Sequence, residues 1–177
     1  MPEYRLLTRR QVCRNLTAAA TALFVPSITT KAFAGGVQAD RIVVLKSERM
    51  LSLLRGASVL ATYPIALGRH PVGHKREQGD ARTPEGDYQI DAFNPNSRYY
   101  RALHISYPNE EDVRRAIAAG RSPGGDIEIH GLPDAWSHYD PVAFFKDWTN
   151  GCIAVSNRAM DEIWSRVDVG TAVEILA

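Results

Sequence analysis

Eight short runs of β-branched or alternating apolar residues, each bounded by Gly, Pro, Asn or Asp, with only two helical stretches between them, predict a mainly β domain with a few short helices. A third observation sets its limits. The first 34 residues have the make-up of an export signal, so residues 35–177 are expected to be the folding unit.

The expected strands are Arg41–Leu45, Met50–Leu54, Ser58–Leu67, Asp87–Phe93, Ala102–Tyr107, Asp126–His130, Cys152–Val155 and Ala172–Leu176. A helix over Glu110–Ala119 follows the stop at Pro108-Asn109 and ends at Gly120. A second helix over Arg158–Val167 follows Ser156-Asn157, a capping pair, and its Met160, Ile163, Trp164 and Val167 form one apolar stripe destined for the core. Gly68–Gly86, rich in glycine and charge, reads as a long loop, of a length that is usually functional or disordered. Pro133–Asp147 is a second irregular stretch with one helical turn at Val142–Lys146, and its Trp136 and His138 are candidates for a lid.

Within the export segment, Arg9-Arg10 precedes a weakly apolar stretch from Leu16 to Val25, and Ala32-Phe33-Ala34 supplies a small-x-small cleavage pattern that puts the mature start near Gly35. The pair resembles a twin-arginine signal, although a general secretion signal has similar features. The apolar stretch falls far below the roughly 20 residues of a spanning helix, so the cleaved chain is expected to be periplasmic with no membrane span. Residues 1–34 carry five basic residues and one acidic, so their loss takes the formal charge from +1 to about −3. Nothing in that balance favours nucleic acid. Cys13 leaves with the signal, and Cys152 remains as an unpaired thiol in an oxidising compartment. Such a thiol pairs between chains, is buried and inert, or is kept for chemistry.

The surroundings of Cys152 point to chemistry. Gly151 precedes it and opens a loop-to-strand bend, which leaves the backbone N–H groups of Gly151 and Cys152 as candidates for an oxyanion site. His130 lies 22 residues upstream at the end of Asp126–His130, whose alternation turns Ile127 and Ile129 to one face and His130 to the other. Two adjacent strand ends can then bring imidazole and thiol together, with the histidine as base and the thiol acidified well below about 8.5. His70 and His74 have metal-like i, i+4 spacing, but Pro71 and Gly73 break any helix between them, so no metal site is assigned.

Three motifs together resemble the YkuD-type L,D-transpeptidases of peptidoglycan: Gly79-Asp80-Ala81-Arg82-Thr83-Pro84-Glu85-Gly86, like the family's G-D-x-x-T-P-x-G loop; His130-Gly131; and Gly151-Cys152. Asp147–Trp164 is similar to the periplasmic murein branch with D-W-T-x-G-C-I-A. The resemblance spans Arg41–Ala177 and implies a YkuD-like β-sandwich or barrel with Cys152 as nucleophile and His130 as base. It implies attack on the meso-diaminopimelate carbonyl of a tetrapeptide stem, release of D-alanine, and transfer of the acyl group to an amine, with no cofactor. A hydrolase releasing an outer-membrane lipoprotein and a non-catalytic peptidoglycan-binding module are the alternatives. Two departures stand out: Asn150 replaces the histidine of the common S/T-H-G-C run, and Ala154 stands where Arg or Asn is usual. Thr149 and Asn150 are candidates to line the pocket, and Arg82, Arg98 and Arg101 to grip stem carboxylates.

Overall fold

The computed structural model describes residues 36–136 and 146–177. The export segment, His138 and nearly all of the helical turn expected at Val142–Lys146 lie outside the described residues. The strands are β1 (Arg41–Leu45), β2 (Met50–Arg55), β3 (Ser58–Pro64), β4 (Gly86–Asn94), β5 (Ala102–Ile105), β6 (Glu128–His130), β7 (Ile153–Ala154) and β8 (Ala172–Leu176). Helix α1 (Glu110–Ala118) lies between β5 and β6, and α2 (Asn157–Arg166) between β7 and β8.

All eight strands belong to one sheet, in the order β3-β2-β1-β8-β4-β5-β6-β7. Side-chain parity explains the first hairpin. Ile42 and Val44 of β1 and Leu51 and Leu53 of β2 turn to the same face and are fully buried, while their neighbours stay part-exposed. β8 adds in parallel to β1. β4 then hands the sheet on: Gly86–Gln89 pair with β8, a register shift follows Ile90, and Ala92–Asn94 pair with β5. Such an irregularity bends a strand and strengthens its twist, which lets one sheet curl around a core.

The curl closes through a segment that local pattern assigns to a single strand. The expected run Ser58–Leu67 splits at Pro64: up to there it pairs with β2, and beyond it Ala66 exchanges hydrogen bonds with Ala154 of β7 at 2.9 and 2.8 Å. β3 is mostly exposed, whereas Ile65, Ala66 and Leu67 are buried, so the two halves face different surroundings.

Helix α2 seals the core. Met160, Ile163 and Val167 are buried, and Trp164 meets Phe93 edge to face at 4.6 Å. Ser156 caps it by accepting from the Ala159 N–H. Helix α1 begins with a capping box in which Asn109 accepts from the Glu111 and Asp112 N–H groups and Asp112 accepts from the Asn109 N–H.

Candidate active site

β6 and β7 run parallel at one end of the sheet order, with Ile129 opposite Ile153 and His130 opposite Ala154. That register places Cys152, one residue before β7, beside the stretch that leads into His130. Both line a cavity of about 640 Å³ together with Arg69, Lys75, Gln78, Tyr99, Asp126, Glu128, Trp148, Thr149 and Asn150.

The histidine is fixed by its own neighbour. His130 is 2% exposed, and its Nδ1 lies 2.7 Å from the Gly131 carbonyl oxygen. A carbonyl only accepts, so Nδ1 carries the proton and, in the neutral ring, Nε2 keeps its lone pair. Tyr99 stacks on the imidazole at 4.6 Å between centroids, and Trp148 meets it edge-on at 5.7 Å. Trp136 packs in turn on Trp148 at 5.1 Å. Gly131 is required by close approach, since a Cβ there would lie 2.6 Å from Asn157 Oδ1.

The Cys152 loop is shaped by Thr149. Its buried hydroxyl donates to the Cys152 carbonyl at 2.7 Å and accepts from the Gly151 N–H at 3.1 Å. The Gly151 N–H is thereby occupied, which corrects the expectation that it is free to join an oxyanion site. Among the described residues the Cys152 N–H makes no hydrogen bond. Asp147 anchors the start of the same loop: its carboxylate receives Arg49 through Nε and Nη2, the shortest contact being 2.7 Å, and the Leu67 N–H at 2.8 Å.

The glycine-rich loop acts as a buttress. Gly151 has φ +133°, and a Cβ there would lie 2.6 Å from the Arg82 carbonyl oxygen. Asp80 holds the loop by accepting from the Arg76, Glu77 and Arg82 N–H groups and from Lys75 Nζ. Lys46, 2% exposed, donates to the carbonyls of Gly73 and Thr83 and to Glu85 Oε1 at 2.8–2.9 Å. The Thr83 hydroxyl accepts from the Gly68 N–H at 3.1 Å.

The electrostatics run against an acidic thiol. Burial pushes the Cys152 thiol up to about 11, although the Glu128 N–H favours the thiolate. Burial likewise pushes His130 down to about 4, with the Gly131 carbonyl pulling the other way. Burial thus favours a neutral thiol and a neutral imidazole in the one cavity, against the acidified thiol expected from the sequence, and among the described residues no hydrogen bond joins the two side chains. The thiol Sγ lies 3.5 Å from the Asp126 carbonyl oxygen.

None of the three arginines proposed to grip carboxylates lines the cavity. Arg82 donates to the Val72 carbonyl at 3.0 Å, Arg98 lies over the Tyr99 ring, and Arg101 pairs with Asp161 at 3.1 Å. Arg69 holds that position instead, and its Nη2 donates to Asn150 Oδ1 at 2.6 Å. Arg69 reaches the site because its N–H bonds the Thr149 carbonyl, a long-range pairing with no local signature. Glu128 was readable in principle, since it stands two residues before His130 on the same strand parity. His70 and His74 serve the loop separately: His70 Nδ1 lies 2.9 Å from the Asp80 carbonyl, and His74 accepts from the Glu85 N–H and reaches Asp112 at 3.0 Å.

Comparison with known proteins places this geometry. YafK of Escherichia coli K12, a protein provisionally named an L,D-transpeptidase, is 33% identical over 132 residues, which are 71% of this chain and 46% of YafK. This chain thus spans about half the length of the curated relatives it matches. The crystal structure of Pgp2, a helical cell-shape-determining protein of Campylobacter jejuni, superimposes with a TM-score of 0.58 at 26% identity, over 76% of this chain and 46% of Pgp2. The fold also recurs in an L,D-transpeptidase of Mycobacterium smegmatis, with a TM-score of 0.53 at 16% identity over 80% of this chain and 60% of that one. Residues 39–175 match the YkuD family, the L,D-transpeptidase catalytic domain, and this chain belongs to that family.

Proposed function

We propose that this protein is an exported peptidoglycan L,D-transpeptidase in which Cys152 is the nucleophile and His130 the base. One observation carries the reading: the His130 Nδ1–H is locked onto the Gly131 carbonyl, which leaves Nε2 as the proton acceptor in the cavity that also holds the Cys152 thiol. As sulfur attacks the diaminopimelate carbonyl of a tetrapeptide stem, its proton passes to Nε2 and the Cys152 N–H receives the developing oxyanion. Collapse expels D-alanine, whose amine takes that proton, and the stem stays as a thioester. An incoming amine then attacks, gives a proton to Nε2 and displaces the thiol, which is reprotonated.

The neutral resting pair suits a periplasmic destination, because a standing thiolate is the form that oxidises. Export by residues 1–34 is part of the proposal and is checked by the mass of the protein recovered from a periplasmic fraction. Arg69, steadied by Asn150, takes the place of the three sequence-assigned arginines as the partner for a stem carboxylate.

A hydrolytic second reading rests on Asn150, which replaces the second histidine and leaves the acceptor side without that residue. The test is mass spectrometry of tetrapeptide muropeptides incubated with the protein and with Cys152→Ala, supplying a diaminopimelate-bearing acceptor and a lipoprotein-linked muropeptide in parallel. Loss of D-alanine with a new crosslink is expected. Release of lipoprotein alone moves the assignment to an amidase, and no product in either arm leaves a peptidoglycan-binding module.

A further inference from the structure

We infer that Glu128 selects substrates bearing a free primary amine, by holding the ammonium group beside the Cys152 thiol; the inference rests on the reaction proposed above. Glu128 and His130 are the two outer residues of β6, and Ile129 between them is fully buried in the core. Strand alternation therefore puts the Glu128 carboxylate and the imidazole on one face, and both line the catalytic cavity.

The carboxylate has no cation of its own. Neither Glu128 nor Asp126, the other acid of the cavity wall, makes an ion pair among the described residues. The nearby basic side chains have hydrogen-bond partners of their own. Lys75 binds Asp80 at 2.8 Å, and His104, opposite Glu128 across the β5–β6 pairing, binds Asp91 at 2.6 Å. Burial holds the Glu128 carboxyl above the usual carboxylate range, with His104 and the Asn94 side chain pulling the other way. A half-buried carboxylate in this setting gains from a ligand cation more than one exposed to water does. The cavity wall also carries Arg69, so it presents both signs of charge to a ligand.

An amine can enter this cavity from two sources, the side chain of the acyl donor or the acceptor that resolves the thioester. The experiment separates them. In the Cys152→Ala protein, binding is measured by calorimetry for a tetrapeptide muropeptide with its side-chain amine free and for the same muropeptide N-acetylated, with and without Glu128→Gln. In the protein with Cys152 intact, KM and kcat are measured for D-alanine release and for a free diaminopimelate acceptor.

If the amine belongs to the donor, acetylation weakens binding about tenfold or more, and Glu128→Gln erases that difference. If it belongs to the acceptor, donor binding is indifferent to both changes, while Glu128→Gln raises the acceptor KM about tenfold. Donor binding and acceptor KM that are both unaltered by Glu128→Gln overturn the inference. Amine-selective binding that depends on Glu128, when the protein with Cys152 intact releases no D-alanine, sustains the subsite and refutes the reaction proposed above.

Discussion

At Cys152 and His130, burial acts in the same sense on both residues and disfavours charge on either. Activation is therefore expected only when a substrate carbonyl arrives, and thiol alkylation gives the first check. The rate of iodoacetamide modification should climb with pH towards about 11, with no plateau at neutral pH. Stability carries the same signature. The folded His130 titrates near 4 against 6.5 in its ordinary state, so the unfolded chain binds more protons between those values and stability falls as pH drops from 6.5 towards 4. At Cys152 the folded value of about 11 exceeds the ordinary 9.0, so stability falls as pH rises from 9 to 11. Denaturant unfolding across pH should show both slopes, and His130→Gln should remove the acid one. In turnover, His130→Ala is expected to cost about 10²–10⁴-fold, the usual range for a general base.

At the level of elements, the long loop from Gly68 to Gly86 packs against the Gly151-Cys152 turn. Lys46→Met strips the donor from two carbonyls and from Glu85, and should cost about 3 kcal/mol, the scale of leaving a buried charged partner alone. Activity should fall with it, because the Arg82 carbonyl that packs on Gly151 loses its support; chemical denaturation and D-alanine release measure the two effects. Most strand positions were legible because alternation reports which face is buried, as Ile42, Val44, Leu51 and Leu53 illustrate. The helix starts were legible because Pro108-Asn109 reads as a stop before α1 and Ser156-Asn157 as a capping pair before α2. The split of Ser58–Leu67 was not, since the switch of partner from β2 to β7 depends on Ala154, 88 positions beyond Ala66. For the same reason Arg69 has no signal in the sequence: the Thr149 carbonyl that receives its N–H stands 80 positions away. His130 and Cys152 were readable together because each ends or precedes a strand beside a glycine.

For the molecule as a whole, the candidate site lies at the β6–β7 end of the sheet order, and the buried α2 residues Met160, Ile163 and Val167 do not line its cavity. Stability and chemistry should therefore separate under mutation. Ile163→Ala, at a fully buried position that does not line the cavity, should cost about 2–5 kcal/mol in chemical denaturation while leaving kcat within a few-fold below the unfolding transition. The most direct measurement of the central claim is intact-protein mass spectrometry with peptide mapping after mixing the protein with a tetrapeptide muropeptide. A covalent adduct on Cys152 with the mass of the stem less D-alanine is predicted, absent from Cys152→Ala. Release of D-alanine by Cys152→Ala, or an adduct mapped to another residue, would contradict it.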